Sequence, residues 1–114
     1  MKMNVCFTGV AVDDYQGACQ WYERLLGRPP DMRPNEIEAA WRFSDDAWMY
    51  VIADASRAGK ALLTLIIDDV DQHVAALADR GFTPSETEDV PGKYRKVSFR
   101  DPEGNTIAFG QVFG

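Results

Sequence analysis

The chain has 114 residues, 46% hydrophobic and 26% charged, with 18 acidic against 12 basic side chains and a formal net charge of -6. That length holds one compact core rather than two independent domains, and the composition is that of a folded globular protein and not a disordered one. The acidic surplus, with no basic stripe to offset it, argues against a nucleic-acid partner, because phosphate binding depends on Lys and Arg releasing counterions.

The opening "MKMNVCFTGV" lacks the long apolar segment and small-residue cleavage site of a signal peptide, so a cytoplasmic location is expected. "FTGVAVDD" then reads as a strand running into a helix start, and "YQGACQWYERLLG" as a helix. Ala18, Tyr22, Leu25 and Leu26 share one face of that helix and Gly27 is its stop. "RPPDMRPNE" reads as a loop, "IEAAWRFS" as an alternating strand, "DDA" as a tight turn and "WMYVIAD" as a last strand.

The same order then recurs. "LLTLIIDD" leads into "VDQHVAALADRG", with Val70, Val74, Leu77 and Ala78 as the apolar face and Gly81 as the stop. "TPSETEDVPG" is the matching loop, "YRKVSFR" the matching strand, "DPEG" the turn and "NTIAFGQV" the last strand. Asp13-Asp14 is repeated as Asp68-Asp69, and Phe43-Ser44-Asp45 as Phe99-Arg100-Asp101, at nearly one offset. Two landmarks with nearly the same spacing mark an internal repeat, with module one at 1–59 and module two at 60–114. The longest apolar run, 61–67 with Thr64 inside it, is too short to cross a bilayer, so no membrane association is expected.

Adjacent residues on a strand point to opposite faces, so the aspartate pairs are helix caps and not an acid/base dyad. Asp101 and Glu103 belong to the turn: Asp101 can bond the backbone, Pro102 pre-sets φ, and Gly104 and Asn105 tolerate positive φ. Cys6 and Cys19 lack the close pairing of a redox or zinc motif and are expected to be reduced. The one histidine, His73, lies beside Val74 but off the apolar stripe and reads as a surface residue.

Strand alternation sorts the side chains, with Val10, Val12, Leu63, Leu65, Ile67, Val97 and Phe99 turned toward the helices. The opposite parity holds Phe7, Gly9, Ala11, Glu38, Ala40, Arg42, Trp48, Tyr50, Leu62, Thr64, Ile66, Tyr94, Lys96, Ser98, Thr106 and Ala108. Aromatic and aliphatic walls with a few convergent polar groups suit a small-molecule site. The plainer alternatives are that Trp48 and Tyr50 fill a core or a subunit interface, and that Arg42 and Lys96 pair with Glu36, Glu38 or other neighbours.

The strand-Asp-Asp-helix units with "WYERLLG" and "DDVDQHVAALADRG", and above all "FRDPEGNTIAF", make the sequence resemble the vicinal oxygen chelate superfamily. That superfamily holds glyoxalase I, bleomycin resistance proteins and extradiol dioxygenases. The resemblance implies an α+β fold of two βαβββ modules, a curved mixed sheet with helices on its outer face, a homodimer, and a cleft that in the enzymes holds a divalent metal.

Carried over position by position, the resemblance sets Phe7 and Tyr50 of module one, and Leu62 and Ala108 of module two, where metal-using members have His, Gln or Glu. Such sites need imidazole nitrogen or carboxylate oxygen, so no metal, no cofactor and no metal-dependent glyoxalase or dioxygenase activity are expected. The expected site is a ligand-binding one, formed by Phe7, Arg42, Trp48, Tyr50, Leu62, Lys96 and Ala108, with no catalytic residue assigned. The expected function is metal-free sequestration of a small aromatic or amphipathic compound. The alternatives are an isomerase or lyase using Glu38 or Tyr50 as acid or base, and a non-catalytic interaction or regulatory module.

Overall fold

The computed structural model describes all residues 1–114 and divides into two compact units, Met1–Ala61 and Leu62–Gly114. Each is a βαβββ module with its own four-stranded mixed sheet.

In the first unit, β1 (Cys6–Val12) runs into α1 (Tyr15–Leu26), followed by β2 (Met32–Asn35), β3 (Glu38–Ser44), β4 (Ala47–Ala53) and a 3-10 turn at Ala55–Arg57. The sheet order is β1-β4-β3-β2, with β1 parallel to β4 and the other pairs antiparallel. The second unit repeats this with β5 (Leu62–Ile66), α2 (Val70–Asp79), β6 (Glu86–Val90), β7 (Tyr94–Arg100) and β8 (Thr106–Val112) in the order β5-β8-β7-β6. No helix is long and apolar enough to cross a membrane.

The helix boundaries follow from local chemistry. Asp14 Oδ1 accepts the Gly17 N–H at 3.0 Å and Asp69 Oδ1 the Gln72 N–H at 3.0 Å, so one aspartate of each pair caps the helix behind it. At the other end of α1, Gly27 takes the left-handed conformation (φ 78°) and its N–H reaches the Glu23 carbonyl at 2.9 Å.

The two Pro- and charge-rich stretches expected to be loops contain the edge strands β2 and β6. Edge position explains the disguise. Every residue of β2 is exposed, and its pairing with β3 shifts register between Met32 and Asn35, where Pro34 cannot donate to a ladder.

The core of each unit lies between its helix and one sheet face. Val10, Val12, Tyr22, Leu25, Trp41 and Met49 are fully buried in the first unit, and the Trp41 indole N–H donates to the Arg28 carbonyl at 3.0 Å. In the second, Val70, Leu77, Val97, Phe99, Ile107 and Phe109 are buried, and Phe99 meets Phe82 and Phe109 edge-on.

Two expectations about α2 need correction. Ala78 is exposed, and His73 is half-buried with its ring 4.3 Å from that of Phe109. The stripe facing the sheet is Val70, His73, Val74 and Leu77, one position round from the expected one, because positions 70, 73 and 77 stack over successive turns.

Burial, and secondarily the Arg80 charge, lowers the His73 pKa from its ordinary 6.5. The unfolded chain therefore takes up this proton more readily than the folded one. Stability tied to neutral His73 is complete above about pH 6.5 and is lost as pH falls through the lower folded value. Urea midpoints of the native chain should fall across that window, and His73→Phe should flatten the fall. An unchanged slope in the variant would exclude His73 as the source.

Candidate ligand-binding faces

In the first unit the sheet face turned away from α1 is organised in cross-strand rows. Phe7, Trp48 and Arg42 form one row, and Gly9, Tyr50, Ala40 and Met32 the next. The Phe7 and Trp48 rings stack with centroids 5.6 Å apart and planes at 22°, and Phe7 is 50% exposed.

Tyr50 lies over Gly9 so closely that a Cβ there would stand 2.6 Å from the phenol ring. Gly9 thus leaves room for the phenol end of Tyr50 against the neighbouring strand. Glu38 lies on the same face and accepts from Asn35 Nδ2 at 3.1 Å.

Arg42 is held locally. Its guanidinium pairs with Asp45 at 2.5 Å and its backbone N–H donates to Asp31 Oδ2 at 2.7 Å, while Arg28 donates to its carbonyl. The partner is thus Asp45 in the β3–β4 turn and not Glu36 or Glu38. Asp45 is largely exposed, so the pair stabilises the fold by no more than about 1 kcal/mol.

In the second unit the corresponding face carries the rows Leu62, Thr106, Arg100 and Thr64, Ala108, Ser98, Glu86. A third row is Ile66, Gly110, Lys96, Glu88. Leu62 is 84% exposed, whereas Ala108 is 3% exposed and lies between its neighbours as floor rather than wall. A cavity of about 250 Å³ on this face is lined by Leu62, Lys96, Ser98, Arg100, Thr106 and Glu86 among others.

Phe7, Arg42, Trp48 and Tyr50 therefore share one face of the first sheet, and Leu62, Lys96 and Ala108 one face of the second. Sequence reasoning missed Glu86, Glu88 and Gly110 on that second face. The signal available was the alternation within "ETEDV", which its acidic, loop-like composition obscured.

A model of the Glyoxalase/Bleomycin resistance protein/Dioxygenase superfamily matches residues 4–109. The chain belongs to this superfamily. A glyoxalase / bleomycin resistance protein from Catenulispora acidiphila DSM 44928 is 38% identical, with 97% of this chain and 99% of that one covered and a TM-score of 0.90. Lactoylglutathione lyase from Agrobacterium tumefaciens shares the fold at 17% identity, with coverage of 94% and 92% and a TM-score of 0.77. TnmS3, an antibiotic binding protein from Streptomyces sp. CB03234, shares it at 24% identity, with 97% of both chains covered and a TM-score of 0.75. Among curated proteins none matches the chain.

At the four positions that the sequence resemblance assigns to metal ligands, the side chains present do not suit the metal that many superfamily members use. Phe7, Leu62 and Ala108 offer no donor atom, and Tyr50 offers only a phenol laid over Gly9. No group of three or more His, Cys, Asp or Glu elsewhere is arranged to hold an ion.

Proposed function

We propose that this protein binds a small flat or amphipathic organic compound through the exposed sheet faces of its modules, by stacking, shape and organic charge, without a metal. The observation that carries the reading is the stacked and accessible Phe7–Trp48 pair, extended in the next row by Tyr50 over Gly9. Aromatic rings left at a sheet surface retain contact area that their own fold has not used. The antibiotic-binding role of TnmS3 supports the same class of activity within the fold. We further propose that the chain acts in the cytoplasm as a homodimer.

Calorimetric titration with two probes of one shape, 2-naphthoate and 2-naphthamide, tests this. Saturable binding of the neutral probe, 2-naphthamide, is expected at the Phe7–Trp48 face, unchanged by EDTA, with no product formed, and weakened about tenfold or more by Trp48→Ala. Binding that vanishes on chelation, or amide binding that survives Trp48→Ala at full strength, contradicts the reading. Turnover of a bound compound with a bell-shaped pH profile would favour the isomerase or lyase alternative instead.

A further inference from the structure

A second cavity, about 430 Å³, lies on the second unit around Gly110, Ile66, Lys96, Val112 and Phe113, with Lys93 and the Asp71- and Asp89-paired Arg95 also in its lining. Gly110 creates it. A Cβ at that position would stand 3.1 Å from Ile66 Cδ1 and 4.0 Å from Lys96 Cγ, so glycine opens a trough between an aliphatic wall and a lysine stem. Ile66 and Val112 are exposed by 62% and 63%, which leaves the trough lined with apolar surface.

The charge arrangement beside the trough is unusual. Register sets Glu88 on β6 directly across from Lys96 on β7, a position where opposite charges ordinarily pair. They form no ion pair. The Glu88 carboxylate instead accepts the Tyr94 hydroxyl at 2.6 Å, and Lys96 has no ionic partner in the fold. Tyr94 thus draws away the one carboxylate directly opposite the ammonium group. The same hydrogen bond raises the Tyr94 pKa, the direction expected for a hydroxyl donating to a carboxylate.

We propose that Lys96 is an anion receptor kept open by Tyr94, and that the compound bound on this face is an amphipathic carboxylate. Its anionic end meets the Lys96 ammonium and its apolar body lies in the trough over Gly110, against Ile66 and Val112. This rests on the small-molecule reading above and narrows it to a charge class. An ammonium beside apolar surface discriminates a carboxylate from its neutral amide, because only the former gains a charge-assisted hydrogen bond on entering a partly dry site.

The same two probes decide it on the full-length chain. The native protein should bind 2-naphthoate about tenfold more tightly than 2-naphthamide. Lys96→Met should bring naphthoate down to the amide's affinity while leaving the amide unaffected. Tyr94→Phe, which removes nothing from the trough's charge, should release Glu88 to Lys96 and weaken naphthoate several-fold, and adding Glu88→Gln should restore it. Equal affinities in the native chain, or a preference that persists in Lys96→Met, overturn the anion assignment while leaving the small-molecule reading intact. Undiminished naphthoate binding in Tyr94→Phe overturns the role of Tyr94. Failure of both probes to bind overturns this proposal together with the broader one.

Discussion

Replacing Asp101 by Ala should cost about 4 kcal/mol of folding stability, because one buried carboxylate satisfies three donors at once and removing it strands them. Asp101 is 5% exposed. Its Oδ1 accepts the backbone N–H groups of Glu103 and Asn105, each at 2.9 Å, and its Oδ2 accepts Asn105 Nδ2 at 2.8 Å. Asn105 is fully buried. The backbone closes the same loop, with the Asp101 N–H donating to the Asn105 carbonyl at 2.9 Å and Gly104 supplying φ 102°.

Against a total stability of about 5–15 kcal/mol for a small domain, such a loss displaces the urea midpoint by a large fraction of its value. Asp101→Asn should fall between, since its amide would turn one NH₂ toward donors already present. A loss below about 1 kcal/mol for Asp101→Ala would show that the turn tolerates the orphaned groups and that this structural assignment is mistaken. The acidic turn thus acts through hydrogen-bond satisfaction, with no step of chemistry required of it.

Two tryptophans on neighbouring strands should respond in opposite ways. Trp41→Ala removes a fully buried indole packed against Tyr22 and bonded to the Arg28 carbonyl, and should destabilise the chain by about 4 kcal/mol. Trp48→Ala removes a ring that is only half-buried and touches Phe7, and should cost about 1 kcal/mol. Ligand affinity should show the reverse order, with Trp48→Ala losing the neutral naphthyl probe at nearly native stability. Paired denaturation and titration curves check this. If Trp48 proves as costly to stability as Trp41, the face it occupies is core and the proposed site is in the wrong place.

The register of β3 against β4 explains the contrast. Trp41 pairs with Met49 and Arg42 with Trp48, so one step along either strand moves a side chain from the helix-covered face to the accessible one.

Much of this was written locally in the chain. The helix starts at Asp14 and Asp69, the stop at Gly27 and the turn at Asp101 are set by bonds between residues no more than four apart, which a sequence displays directly. The face shared by Phe7, Trp48 and Tyr50 was likewise legible, because strand periodicity is two and both strands are apolar enough to declare themselves. Edge strands β2 and β6 were not, since an edge is stabilised by one neighbour and tolerates Pro34 or a run of acidic residues that composition assigns to a loop.

What the amino-acid order alone determined is the duplicated βαβββ plan with its caps and turns. Tertiary structure alone decided which charges remain free. Arg42 is engaged by Asp45, Glu88 by Tyr94, and Lys96 by no ionic partner, although Glu88 faces it across the ladder. His73 belongs to the same category, because a small rotation of the helix decides whether an imidazole meets water or Phe109. Those outcomes depend on cross-strand register and helix rotation, which are set by packing over many residues and leave no mark in any short stretch of sequence.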